Sequence, residues 1–149
     1  MVFSLRKAID HNIDTDKFVD MYEYLMHYTM THGMIRGKIE TITIIVDCKD
    51  VYLYEFPVGD LIAMGRRVKA AFKVVLHNVV ITDIHWLLKA GTKIINTFVD
   101  PRTMGKMNFI SDNGASYLKT IIPEDHLEQK FGGSLPNLEG NYFPPRYNP

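Results

Sequence analysis

Asp47 follows a β-branched run and His77 ends another, and a carboxylate with an imidazole at strand ends is the minimum a general acid–base enzyme needs. The same Asp47 also suits a plain structural task, capping the strand end or pairing with Lys49. Nothing else in the chain strengthens an enzyme. His11, His27, His32, His77, His85 and His126 include no H-x-x-x-H pair, and His27 and His32 are badly spaced for joint chelation on a helix, so no metal centre is expected. There is no G-x-G-x-x-G, no G-x-x-x-x-G-K-S/T and no G-x-S-x-G. The single cysteine, Cys48, excludes an internal disulfide, fits a reducing compartment and reads as a buried strand residue. Lys106 stands just before the apolar run Met107 to Ile110, where its ammonium meets either solvent or an anionic head group.

The elements that must position these residues follow from hydrophobic period and from breakers. Residues 2–5 are apolar and read as the stump of a strand. Thr15 is the expected cap of a helix that carries Phe18, Met21, Tyr22, Leu25 and Tyr28 and ends near Gly33. Ile39 to Val46 reads as a strand covered on both faces. Asp60 to Phe72 predicts a basic amphipathic helix and Lys73 to His77 a second strand. Thr82 or Asp83 is expected to cap a long helix to Phe98, which ends because Pro101 cannot continue it. Met107 to Ile110 predicts a third strand and Ala115 to Ile121 a short helix before Pro123. Gly132 and Gly133 provide backbone angles or a close approach that a side chain forbids. Strands alternating with helices indicate an α/β fold with a largely parallel sheet and right-handed crossovers.

At 149 residues and 46% hydrophobic content, one domain with one core is expected. No apolar run reaches the length of a membrane span, and the N-terminal residues lack the apolar stretch of a secretory signal. Net charge is zero, but residues 64–106 carry eight Lys or Arg against two Asp or Glu. Such a segment is either a solvated surface or one drawn to anionic lipid at about 1 kcal/mol per well-placed charge. Nucleic acid is not expected, because no RNA-binding signature accompanies the neutral balance. Ile81, Ile84, Trp86, Leu87 and Leu88 spread over more than one face of the 83–98 helix. That helix is either buried core or the roof of something apolar.

The order of several motifs resembles the CRAL-TRIO lipid-binding domains, the family of phosphatidylinositol and of retinoid or tocopherol transfer proteins. Phe98-Val99-Asp100-Pro101 is similar to the family's F-L-D-P, and Lys106 to the lysine before its next strand. Ile122-Pro123-Glu124-Asp125-His126-Leu127, followed by Phe131-Gly132-Gly133, is similar to I-P-E-x-x-L-P-x-x-F/Y-G-G. Val46 to Val51 resembles V-D-L-K-G, and residues 74–79 resemble I-x-N-A/V-P. The resemblance covers roughly residues 2–137.

It implies a mostly parallel sheet of four to five strands flanked by helices, with an apolar lipid groove covered by a gate helix at 83–98. Residues 1–137 would form the domain, without the usual N-terminal helical region, and 138–149 a surface or frayed tail. The implied function is non-catalytic binding and intermembrane transfer of a hydrophobic lipid, with phosphoinositide as the favoured head group. The implied location is cytoplasmic and peripheral to membranes, with no cofactor beyond the bound lipid. Lys106 would meet the head group, Ile42 and Ile44 would line the floor, and Ile84, Leu87 and Leu88 would form the lid. Trp86, Arg66, Arg67 and Lys69 would face the membrane.

The chain departs from the family pattern in three places. Ile42 and Ile44 occupy the positions where phosphatidylcholine binders place Ser and Thr. Ala70-Ala71-Phe72 runs into Lys73 where a Y-P-E-R turn supplies an inositol-binding Glu. Val80 and Asn96-Thr97 replace the prolines flanking the gate. The missing Y-P-E-R turn, with most of the family's first strand also missing, supports a second expectation, a shortened module that docks to proteins or membranes without exchanging lipid. A small α/β enzyme using Asp47 and His77 is the third.

Overall fold

The computed structural model describes residues 1–55, 59, 62, 75–84 and 99–138. Among the described residues four strands form one sheet in the order β1-β2-β3-β4, all parallel: β1 Val2–Ser4, β2 Ile42–Asp47, β3 Leu76–Thr82 and β4 Met107–Phe109. The described helices are α1 Leu5–Asp10, α2 Thr15–His32, α3 Pro101–Met104 and α4 Ala115–Ile121, with 3-10 turns at Leu53–Glu55, Glu124–His126 and Gln129–Phe131. The α/β architecture and the parallel four-stranded sheet agree with the expectation from sequence.

Side chains alternate across a strand, so register decides which residues share a face. Phe3, Val46, Ile81 and Phe109 stand level across the four strands, and Ile44, Val79 and Met107 form the next row. Every residue in both rows is apolar. The opposite face mixes Thr43, Asn78, Asn108, Asp47 and Thr82 with Ile45 and Val80. β3 slips in register between Ile42 and Thr43, with His77 as the extra residue, so Leu76 stays level with Ile42.

The mixed face is closed by the C-terminal region. Leu118 of α4, Leu127 and Phe131 pack with Ile45 and Val80, and all five are buried. On the apolar face, α2 covers the end of the sheet where β2 starts, with Met26 buried against Ile42 and Ile44. Phe18 of α2 meets Phe3 edge-on at 4.9 Å. At the opposite end Leu5, Cys48, Val51, Ile81 and Ile84 form a second buried cluster. Burial pushes the Cys48 thiol up to about 12, with Asp47 and Asp83 adding to it, so Cys48 behaves as packing material.

Several boundaries differ from those expected. Asp14, not Thr15, occupies the cap of α2. β2 begins at Ile42 because Ile39 is bonded back to Ile35 in a tight hairpin. β3 is Leu76–Thr82 instead of Lys73 to His77, since pairing with β2 runs through Val79, Val80, Ile81 and Thr82. Thr82 therefore ends a strand, and Asp83 turns the chain with φ +58. Pro101 opens a helix at its first turn, as its fixed φ allows. The Asp100 carboxylate caps that helix, accepting from the Thr103 N–H at 3.0 Å and the Thr103 hydroxyl at 2.9 Å. The helices expected at 60–72 and 83–98, apart from Ile62, Asp83 and Ile84, lie outside the described residues.

The motif glycines have separate reasons. Gly132 adopts φ +84, a left-handed conformation that costs an L side chain about 1–2 kcal/mol. Gly133 lies against Leu127 so closely that a Cβ would fall 1.8 Å from the Leu127 carbonyl oxygen. Ile122 is extended, with φ −130 and ψ 127, as a residue before proline prefers, and this ends α4 at Ile121.

Candidate functional site

The apolar face is the most distinctive surface of the sheet. Val46, Val79, Met107, Phe109 and Phe3 are only partly buried, whereas the flanking Ile44 and Ile81 are buried. None of the residues in its two rows carries a side-chain hydrogen-bonding group. Such a surface can hold hydrocarbon. Val99, and Met104 of α3, pack on the same cluster from the side of β4.

Lys106 stands at the start of β4. Its ammonium donates to the Leu76 carbonyl, which holds it at the end of the sheet where β3 and β4 begin. Among the described residues no carboxylate pairs with it. On the mixed face beside it, Asn108 donates to the Asn78 side-chain oxygen at 2.6 Å, and Asn78 donates to the Tyr117 hydroxyl at 3.2 Å. This polar chain ties β3, β4 and α4 together behind the apolar wall.

Ile42 and Ile44 lie on the apolar face, at 7% and 6% exposure, packed under Met26. Ile84 is fully buried among Leu5, Cys48, Val51 and Ile81. The structure thus brings Ile42 and Ile44 together and holds Ile84 at the other end of the same face. Leu87, Leu88, Trp86, Arg66, Arg67 and Lys69 lie outside the described residues.

Asp47 and His77 do not converge. Asp47 is level with Thr82 at the end of β3, five residues beyond His77 and so about 16 Å along the strand. The Asp47 carboxylate accepts from the Lys49 N–H at 3.0 Å and lies 3.7 Å from the Lys130 ammonium, while His77 is exposed. The structural role open to Asp47 is the one it performs. Among the described residues no group of His, Cys, Asp or Glu side chains is arranged to hold a metal ion. No described helix is long and apolar enough to cross a membrane.

Two features escape sequence reasoning. One is the bond between Lys106 and the Leu76 carbonyl, which joins residues 30 apart. The other is the hairpin closed between Ile35 and Ile39. Its signal is a glycine between two cations and two isoleucines, Ile35-Arg36-Gly37-Lys38-Ile39. Compared with known families, residues 1–133 match the one described as the CRAL/TRIO domain. No curated protein matches the chain.

Proposed function

This chain belongs to the CRAL/TRIO domain family, and from that premise we propose that it binds one hydrophobic lipid against the apolar face of its sheet and carries it between membranes. No covalent chemistry is involved. The observation that carries this reading is the pair of apolar rows, Phe3-Val46-Ile81-Phe109 and Ile44-Val79-Met107, left partly uncovered while the mixed face is closed. A phospholipid has about 30 methylenes, each worth roughly 0.8 kcal/mol when removed from water. The lipid leaves a bilayer, however, so the exchange is near balance and the protein needs only an apolar wall and a hold on one head group.

Phosphoinositide is the head group we favour. Lys106 supports it, as a cation held by a carbonyl without a carboxylate partner among the described residues. Isoleucine at positions 42 and 44 offers a choline phosphate no hydrogen bond, which weakens the case for phosphatidylcholine. The carrier works at the cytoplasmic surface of membranes.

The test is transfer of a fluorescent phospholipid from donor to acceptor vesicles. The expected result is transfer above the protein-free rate, faster for phosphatidylinositol than for phosphatidylcholine. Vesicle binding with no transfer would replace this reading with a docking module that does not exchange lipid.

A further inference from the structure

The segment between α2 and β2 forms a closed, protruding finger. Ile35 and Ile39 exchange both main-chain hydrogen bonds, with Ile35 N–H to Ile39 O at 3.0 Å and Ile39 N–H to Ile35 O at 2.7 Å. Residues paired in this way send their side chains to the same side. The two isoleucines therefore project together, and they are 53% and 48% exposed. Gly37 makes the tip with φ +78, and a Cβ there would meet nothing within 4 Å. Arg36 and Lys38 flank the tip, both exposed and both without an ion-pair partner among the described residues.

The finger itself carries no carboxylate; Glu40, just after it and exposed, accepts from the Gly37 N–H at 2.9 Å. At its base, Met34 and Ile42 both belong to the apolar cluster around Met26. The finger is thus an outward extension of that cluster, tipped with two cations. It leads into the start of β2, and Lys106 stands at the start of β4, so in a parallel sheet both lie at the same end.

We propose that the finger Ile35–Ile39 is a membrane-contact element that places its two isoleucines in the acyl boundary of an anionic bilayer, with Arg36 and Lys38 at the phosphates. A protein partner would not require cations on both sides of an apolar pair, whereas an anionic lipid surface presents hydrocarbon below and negative charge above. The proposal deepens the carrier reading and rests on it for one point: contact at this end brings the membrane to the end of the sheet where Lys106 waits for a head group.

Co-sedimentation with vesicles of phosphatidylcholine, with or without phosphatidylserine, tests it. The full chain should bind phosphatidylserine vesicles and release them as salt rises. Ile35→Ser with Ile39→Ser should weaken that binding about tenfold. Arg36→Gln with Lys38→Gln should weaken it about fivefold per charge and remove the preference for phosphatidylserine. The charge pair is fully on the surface, so its result stands even if the isoleucine variant is misfolded by circular dichroism. Equal sedimentation of the parent and the charge variant overturns the proposal, as does a parent that never sediments. Native mass spectrometry on the same proteins separates the two ideas. Retained lipid with variant-insensitive vesicle binding sinks the finger alone. Finger-dependent vesicle binding by a lipid-free chain supports the finger and sinks the carrier.

Discussion

The main-chain N–H of Asp83 donates to the carbonyl oxygen of Asp112 at 2.7 Å. This bond pins the exit of β3 to the loop behind β4 and holds Asp83 in a left-handed conformation, φ +58. The Asp83 carboxyl is raised above the usual carboxylate range by partial burial and then by Asp47, with Asp112 and Asp50 adding and Lys49 opposing. An acid whose folded pKa exceeds its unfolded value costs stability when ionised. The cost is present at neutral pH and is lost as pH falls through the folded pKa. Asn tolerates the left-handed region as Asp does, so Asp83→Asn removes only the charge. Its Tm should exceed the parent's by about 1–2 °C at pH 7, after allowing for solvent screening. The difference should vanish near pH 3, below the ordinary Asp value of about 3.9. A thermal melt at the two pH values checks both halves.

Gly133 and Gly132 should respond unequally to alanine. At Gly133 the new Cβ meets the Leu127 carbonyl oxygen, and neither backbone can give way without breaking the Leu135 N–H bond to that oxygen, 3.0 Å. We expect Gly133→Ala to cost about 3 kcal/mol or more, in the range of severe backbone clashes. Gly132→Ala should cost about 1–2 kcal/mol for its backbone angle, with some addition from the Ala115 Cβ at 2.9 Å. Urea midpoints of the two variants give the comparison, and equal costs would contradict the close-approach explanation.

Val79 and Met107 are neighbours in the apolar row and are only partly buried. Val79→Thr with Met107→Gln keeps shape while introducing polar groups that this face leaves without partners. Folding stability should fall by no more than about 1–3 kcal/mol. Lipid retention should fall about tenfold, because a wall meant for hydrocarbon now carries solvated groups. Equal retention by the variant and the parent would remove this face from the account.

Lys106→Gln should leave vesicle affinity and phosphatidylcholine transfer near their parent values. The advantage of phosphatidylinositol should shrink about fivefold, the weight of one well-placed charge. The transfer assay with the two lipids in parallel provides the readout. A preference that survives the substitution would move head-group selection elsewhere.

What the sequence discloses follows from how local each signal is. Ala115 to Ile121 has its end written beside it in Pro123, and its bounds are those observed. The apolar run Met107 to Ile110 places β4 to within one residue. β3 is displaced from its sequence expectation because its register is decided by β2, some 35 positions away in the chain. The hairpin is hidden because Ile39 merges into the apolar run of β2 when only hydrophobicity is read. The apolar face is legible only as pattern. Its residues come from four segments, and alternation assigns them to one side only after register is known. The chain Asn108–Asn78–Tyr117 spans residues 30 and 39 apart and has no local signature.

The carrier reading depends on the sheet's partly buried apolar face holding an acyl chain. Native mass spectrometry of the full chain after incubation with mixed-lipid vesicles and repurification tests it most directly. The spectrum should show a second peak heavier by the mass of one phospholipid, enriched in phosphatidylinositol. A single peak at the mass of the bare polypeptide, from protein that is folded by circular dichroism, would contradict it.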